Sequence, residues 1–141
     1  MKYRRFGKTE LRMPVLTCGG MRYQQSWQDI KPEDLERKVQ DNVDAIVRHA
    51  VENGINHVET ARGYGSSEHH LGLVLPQLPR EDILVQTKIG PTQSESEFLS
   101  TFETSMNKLK VDYLDLLSIH GINSSEKLDT TLRKGSLRAC R

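Results

Sequence analysis

Apolar positions recur along this chain in two alternating rhythms. Val43, Ile46, Val47, Ala50 and Val51 fall at the three- and four-residue spacing of one helical face, which predicts a helix over 42–53 with Gly54 as its left-handed cap. A compact apolar run at 55–60 predicts a strand. Leu71, Val74 and Leu75 then mark a second helical face, entered through Ser66 or Ser67 as N-cap and stopped by Pro76. Residues 83–89 read as the next strand. Ser94 and Glu97 form a capping box ahead of Phe98, Phe102, Met106 and Leu109, the stripe of a third helix. Residues 111–119 read as a further strand.

Upstream, 1–6 and 11–13 flank Gly7-Lys8-Thr9-Glu10, the pattern of a small hairpin placed as a lid or plug. Pro14 opens a short strand through Val15, Leu16 and Thr17, ended by Gly19 and Gly20 where backbone must turn tightly or approach a ligand. The polar stretch 25–36 is expected to be a loop able to cover a site. The order is therefore β-α-β-α-β-α-β, and the near-continuous apolar strands predict a parallel sheet buried on both faces. Thr17-Cys18-Gly19-Gly20-Met21 fits neither G-x-G-x-x-G nor a P-loop, the usual mark of an open doubly wound sheet. A barrel of the same units needs no such mark.

Length and charge narrow the function classes. The 141 residues suit one domain, 1–141, and a formal net charge of +1 gives no broad field toward nucleic acid or a membrane surface. No apolar run approaches the roughly 20 residues of a membrane span. Cys18 and Cys140 make no C-x-x-C pair and no apolar N-terminal leader is present, so a reduced, cytoplasmic protein handling a small ligand is expected.

In either architecture ligands sit at the carboxyl ends of the strands. Glu59 ends the second strand of the main series with Tyr64 in the loop beyond, Lys88 ends the third, and the fourth runs into His120. Charged groups there are costly to desolvate unless paired, so Lys88 and Glu59 are expected to form an ion pair. An ammonium beside a phenol favours the phenolate, making Tyr64 a usable general acid, while His120 orients a carbonyl oxygen. Singly, each such residue is as readily the first solvated position of a strand end; their recurrence in successive βα units favours chemistry. A metal reading of His57 and Glu59, two apart on one strand face, lacks a third ligand. His49, His69 and His70 are expected to be partly exposed surface residues.

Residues 1–9, Leu16-Thr17-Cys18-Gly19-Gly20-Met21, and 54–61 with Tyr64-Gly65, followed by Lys88 and His120, resemble the aldo/keto reductases. The resemblance runs from the first residue to about Asn123. It implies an α/β fold of the (β/α)8 TIM-barrel type, NADPH as cofactor, and hydride transfer to a small aldehyde or ketone. By the same resemblance Tyr64 is the proton donor, Lys88 tunes it, His120 orients substrate, and Gly20 and Met21 contact the cofactor. The family usually carries aspartate where this chain has Glu59; with R-G-Y-G-S-S-E, that wording is similar to a bacterial branch often bearing a C-terminal iron-sulfur domain.

A complete barrel of this type needs about 250 residues. The expectation is accordingly half a barrel, inactive alone, whose tail at about 130–141 loses helical periodicity after a frameshift or stop near Gly135. The alternative is a non-catalytic half-barrel that pairs its open sheet edges with a second copy or a partner.

Overall fold

Four short parallel strands carry the architecture. The computed structural model describes residues 1–23 and 25–140; Arg141, the end of the tail set apart above, lies outside them. Strands β1 (Tyr3–Arg5) and β2 (Arg12–Pro14) form an antiparallel hairpin around a 3-10 turn at Gly7–Thr9. Strands β3 (Cys18–Gly19), β4 (His57–Glu59), β5 (Leu84–Ile89) and β6 (Leu116–Ile119) pair in parallel, in the order of the sequence. Helices α1 (Arg37–Glu52), α2 (Ser67–Val74) and α3 (Glu95–Leu109) connect them, and α4 (Ser125–Arg133) and α5 (Ser136–Ala139) follow β6. Sequential strand order without reversal is that of a barrel wall. The hairpin sits at the amino end of the sheet, where the Tyr3 hydroxyl donates to the Gly54 carbonyl at 2.7 Å.

Several boundaries differ from the sequence expectation, each for a local reason. Val15 and Leu16 lie outside β3 and are 54% and 57% exposed, because the Val15 N–H extends the hairpin by donating to the Lys2 carbonyl at 3.0 Å. The last strand begins at Leu116 rather than residue 111: the Asp115 carboxylate accepts the Val85 N–H at 2.8 Å, where a continuing strand would supply a carbonyl. Helix α1 begins at Arg37, ahead of residue 42, in a mostly polar turn whose Val39, four residues before Val43, carries the apolar face back one turn onto the core. Ser66 holds the N-cap position of α2, but its side chain makes no cap bond. Ser66 Oγ accepts the Gln25 N–H at 3.2 Å, and the Ser67 hydroxyl donates to the Gly20 carbonyl at 2.8 Å. Ser94 does cap α3, accepting the Glu97 N–H at 3.1 Å, although the Glu97 carboxylate reaches Gln93 N rather than its own cap.

The strands are not buried on both faces. In β5, Val85, Thr87 and Ile89 are buried under the helices, while Leu84, Gln86 and Lys88 line a half-open inner face. Val43, Val47, Val58, Leu71, Val74, Val85 and Leu109 form the core between sheet and helices, each worth about 1.5–3 kcal/mol when fully buried. Helix α2 lies between α1 and α3. At Gly72 it meets α3 so closely that a Cβ there would overlap the Lys108 carbonyl.

His70, expected at the surface, is fully buried and shares a 2.8 Å contact with Gln40 Oε1 through Nδ1, because α2 has neighbours on two sides. Burial pushes both His70 and His57 below the ordinary histidine range. The unfolded chain therefore binds these protons near the reference value of about 6.5 while the folded chain resists them, so stability is full above that pH and falls as pH drops below it. Urea midpoints should decrease from about pH 7.5 to about pH 5.5, with a smaller decrease in His70→Gln. A midpoint that rises on acidification would contradict this.

Candidate functional site at the carboxyl ends of the strands

The ladder between β4 and β5 continues past Glu59: Thr60 N–H donates to the Gln86 carbonyl and Arg62 N–H to the Lys88 carbonyl, both at 2.9 Å. These bonds carry the loop after β4 along the end of β5, and a turn from the Tyr64 N–H to the Ala61 carbonyl at 3.0 Å brings the phenol back over the sheet. His120 N–H donates to the Ile89 carbonyl at 2.7 Å and extends β6 in the same way.

The structure thereby brings Glu59, Tyr64, Lys88 and His120 to one rim. The Lys88 ammonium contacts the Glu59 carboxylate and donates to the Thr60 carbonyl at 3.0 Å and to the Tyr64 hydroxyl at 3.1 Å. The Tyr64 and His120 rings meet edge to face, 5.4 Å between centroids and 87° between planes. Burial draws Lys88 down from the ordinary lysine value to about 8. His120 is lowered by burial first, then by Lys88 and Lys127, so it is a neutral imidazole near pH 7. The arrangement can deliver one proton from a phenol whose conjugate base would lie against a cation, beside a neutral ring able to donate a hydrogen bond.

Gly20 is buried, its carbonyl taken by Ser67, and a Cβ there would overlap the Glu59 carbonyl and the Ser67 hydroxyl. Met21 follows at 41% exposure. Both ring nitrogens of His57 are engaged, Nδ1 with Thr17 Oγ1 at 3.0 Å and Nε2 with Gln86 Oε1 at 2.9 Å.

A second polar cluster supports the rim from outside and has no periodic signal in the sequence. Glu68, 1% exposed, accepts the Thr87 hydroxyl at 2.8 Å and pairs with Arg62 at 3.3 Å. Arg62 also pairs with Asp29, as does Lys108 from α3, and together they hold the Asp29 carboxyl below its usual range despite partial burial. Asp29 belongs to the 25–36 loop, which bears on the rim: Gly65, at φ +53°, has no room for a Cβ against Ser26. The Gln25 side chain closes that loop, accepting the Glu36 N–H at 2.7 Å and donating to the Asp34 carbonyl at 3.0 Å.

The profile of the aldo/keto reductase family matches residues 15–134. The chain belongs to the aldo/keto reductase family. An uncharacterized oxidoreductase of Caenorhabditis elegans is 32% identical over 103 residues, spanning 67% of this chain and 32% of its own. The crystal structure of a putative aldo-keto reductase from Pseudomonas aeruginosa superposes with a TM-score of 0.81 at 24% identity, over 98% of this chain and 54% of that one. An aldo-keto reductase crystallised in complex with NADPH superposes with a TM-score of 0.60 at 17% identity, over 96% of this chain and 43% of that one. This aldo/keto reductase chain has the α/β fold of part of a (β/α)8 barrel, spanning about half the length of these solved structures and about a third of the curated relative.

Proposed function

We propose that the chain carries the proton-transfer side of an NAD(P)H-dependent reductase of small aldehydes or ketones, NADPH being the expected cofactor. The observation that supports this is the Lys88 ammonium, held by Glu59 and 3.1 Å from the Tyr64 phenol oxygen. Tyr64 gives its proton to the carbonyl oxygen, and the resulting phenolate is stabilised by Lys88 while His120 orients that oxygen. When bound, a nicotinamide would supply the hydride that the carbonyl carbon needs to become the alcohol carbon. The residues present fit its reactive end: exposed Gly19 leaves bare backbone beside the Glu59 carboxylate, and Met21 follows two residues on. In this reading the enzyme is reduced and cytoplasmic; among the described residues no helix is long and apolar enough to cross a membrane.

The alternative, a half-barrel that associates with itself, draws on one observation: β6 is an edge strand whose Leu116, Leu117 and Ile119 are only half-buried. Both readings meet in one experiment, a fluorescence titration of the chain with NADPH alongside light scattering and an aldehyde reduction assay. Saturable binding with turnover supports the reductase. An assembled chain that neither binds NADPH nor turns over aldehydes favours the non-catalytic module.

A further inference from the structure

Beneath the rim lies a second polar layer. Residues two apart on a strand share a face, so on the inner side of the sheet His57 stands below Glu59, Gln86 below Lys88, and Ser118 below His120. Hydrogen bonds join this lower layer across the sheet. The Thr17 hydroxyl lies 3.0 Å from His57 Nδ1, His57 Nε2 lies 2.9 Å from Gln86 Oε1, and the Gln86 amide donates to Ser118 Oγ at 2.7 Å. Their directions agree when Nε2 carries the imidazole proton: Thr17 donates to Nδ1, His57 donates to Gln86, and Gln86 donates to Ser118. His57 is 4% exposed.

Barrel interiors are ordinarily filled by layers of bulky branched apolar side chains, and a polar layer costs stability unless its groups are paired. Here the row pins the Gln86 amide from both sides, one step below Lys88 on the same strand face. A lysine stem has about 2 kcal/mol of rotamer entropy to lose on being held, so the ammonium stays at Tyr64 only if its surroundings exclude the other rotamers. We propose that His57 is a positioning residue for Lys88: by clamping Gln86 against Ser118 it fixes the floor on which the Lys88 side chain stands, and hence the reach of its ammonium to Tyr64. The inference rests on the role given to Lys88 above. The titratable groups facing Lys88 are Glu59 from β4, Tyr64 from the following loop and His120 beyond β6; those whose charges reach His57 are Asp115 and Lys88 itself.

The test follows the Lys88 ε-methylene by NMR in lysine-labelled chain through a pH titration, with the signal assigned by its loss in Lys88→Arg. In the native chain the midpoint is expected at about 8, where burial draws Lys88. His57→Phe is expected to raise it by about one unit or more, a tenfold change in proton affinity, as the ammonium escapes toward solvent and the ordinary value of about 10.4. The sign is decisive, because an apolar ring that left Lys88 in place would deepen its desolvation and lower the midpoint. Gln86→Leu should act like His57→Phe, Ser118→Ala should give a smaller rise, and His57→Gln, which keeps a donor and an acceptor, should restore the native midpoint. Val58→Ala, on the opposite face of β4, should leave it unchanged. An unchanged or lowered midpoint in folded His57→Phe or Gln86→Leu overturns the proposal, as does an unmoved midpoint in the mild Ser118→Ala. The titration needs no turnover, so a failed reductase assay leaves it standing, while an active reductase with an unmoved Lys88 removes it alone.

Discussion

Tyr64→Phe is expected to slow NADPH-dependent carbonyl reduction by roughly 10²–10⁴-fold, the range in which a positioned general acid acts, while leaving the affinity for NADPH essentially unchanged. The substitution removes one oxygen and keeps the ring that packs edge to face on His120 at 5.4 Å. The loss should therefore fall on kcat, because proton transfer is required in the transition state and not for binding. It also leaves the Lys88 ammonium without its 3.1 Å phenol partner, still held by Glu59 and the Thr60 carbonyl. Steady-state kinetics on the form of the protein that turns over, paired with fluorescence titration of NADPH, would check this. Retained turnover in Tyr64→Phe would transfer the proton donor's role elsewhere.

Gly72→Ala should cost about 2–3 kcal/mol of stability, as overpacking does when the surroundings cannot yield. Intrinsic helix preference alone forecasts the opposite sign, a gain of about 0.5–1 kcal/mol for alanine over glycine inside a helix. The difference arises because a Cβ at position 72 meets the Lys108 carbonyl, and backbone at the end of α3 cannot rotate away as a side chain could. Moving it would also disturb Leu109, which is fully buried, and Lys108, which holds Asp29. Urea unfolding should show a lower midpoint with an unchanged slope; a midpoint equal to or above that of the native chain would mean the two helices separate freely.

What could be read from the sequence follows from how far each signal reaches. The third helix and its Ser94 cap are local, resting on side chains three and four residues apart, and they appear where the spacing puts them. The convergence of Glu59, Tyr64, Lys88 and His120 was legible because a repeated βα unit places successive strand ends side by side, so chain order alone predicts proximity. Glu68 and His70 were not legible, since their burial depends on α2 being covered from two sides by helices about 30 residues away in either direction. The inner-face row was hidden for a related reason. Thr17, His57, Gln86 and Ser118 are ordinary polar residues in or beside strands that look apolar, and only the hydrogen bonds between their side chains across the sheet join them into a row. The short β3 was misplaced because Val15 and Leu16 have the composition of a strand, yet Val15 bonds back to the hairpin and Leu16 stays exposed.

The loop over 25–36 begins and ends at one side chain, since Gln25 binds both Asp34 and Glu36. Its two ends are thus tied together independently of the residues between them, and Asp29 fastens its early part to Arg62 and Lys108. Closure entropy grows only slowly with added length, about 0.6 kcal/mol for each doubling. New residues introduced between Ile30 and Pro32 would consequently extend the span over the rim without shifting α1 or loosening Asp29. If the rim reduces carbonyl compounds as proposed, this segment is the natural place to graft random sequence when retuning which of them it admits, because variation there leaves the frame of the barrel untouched.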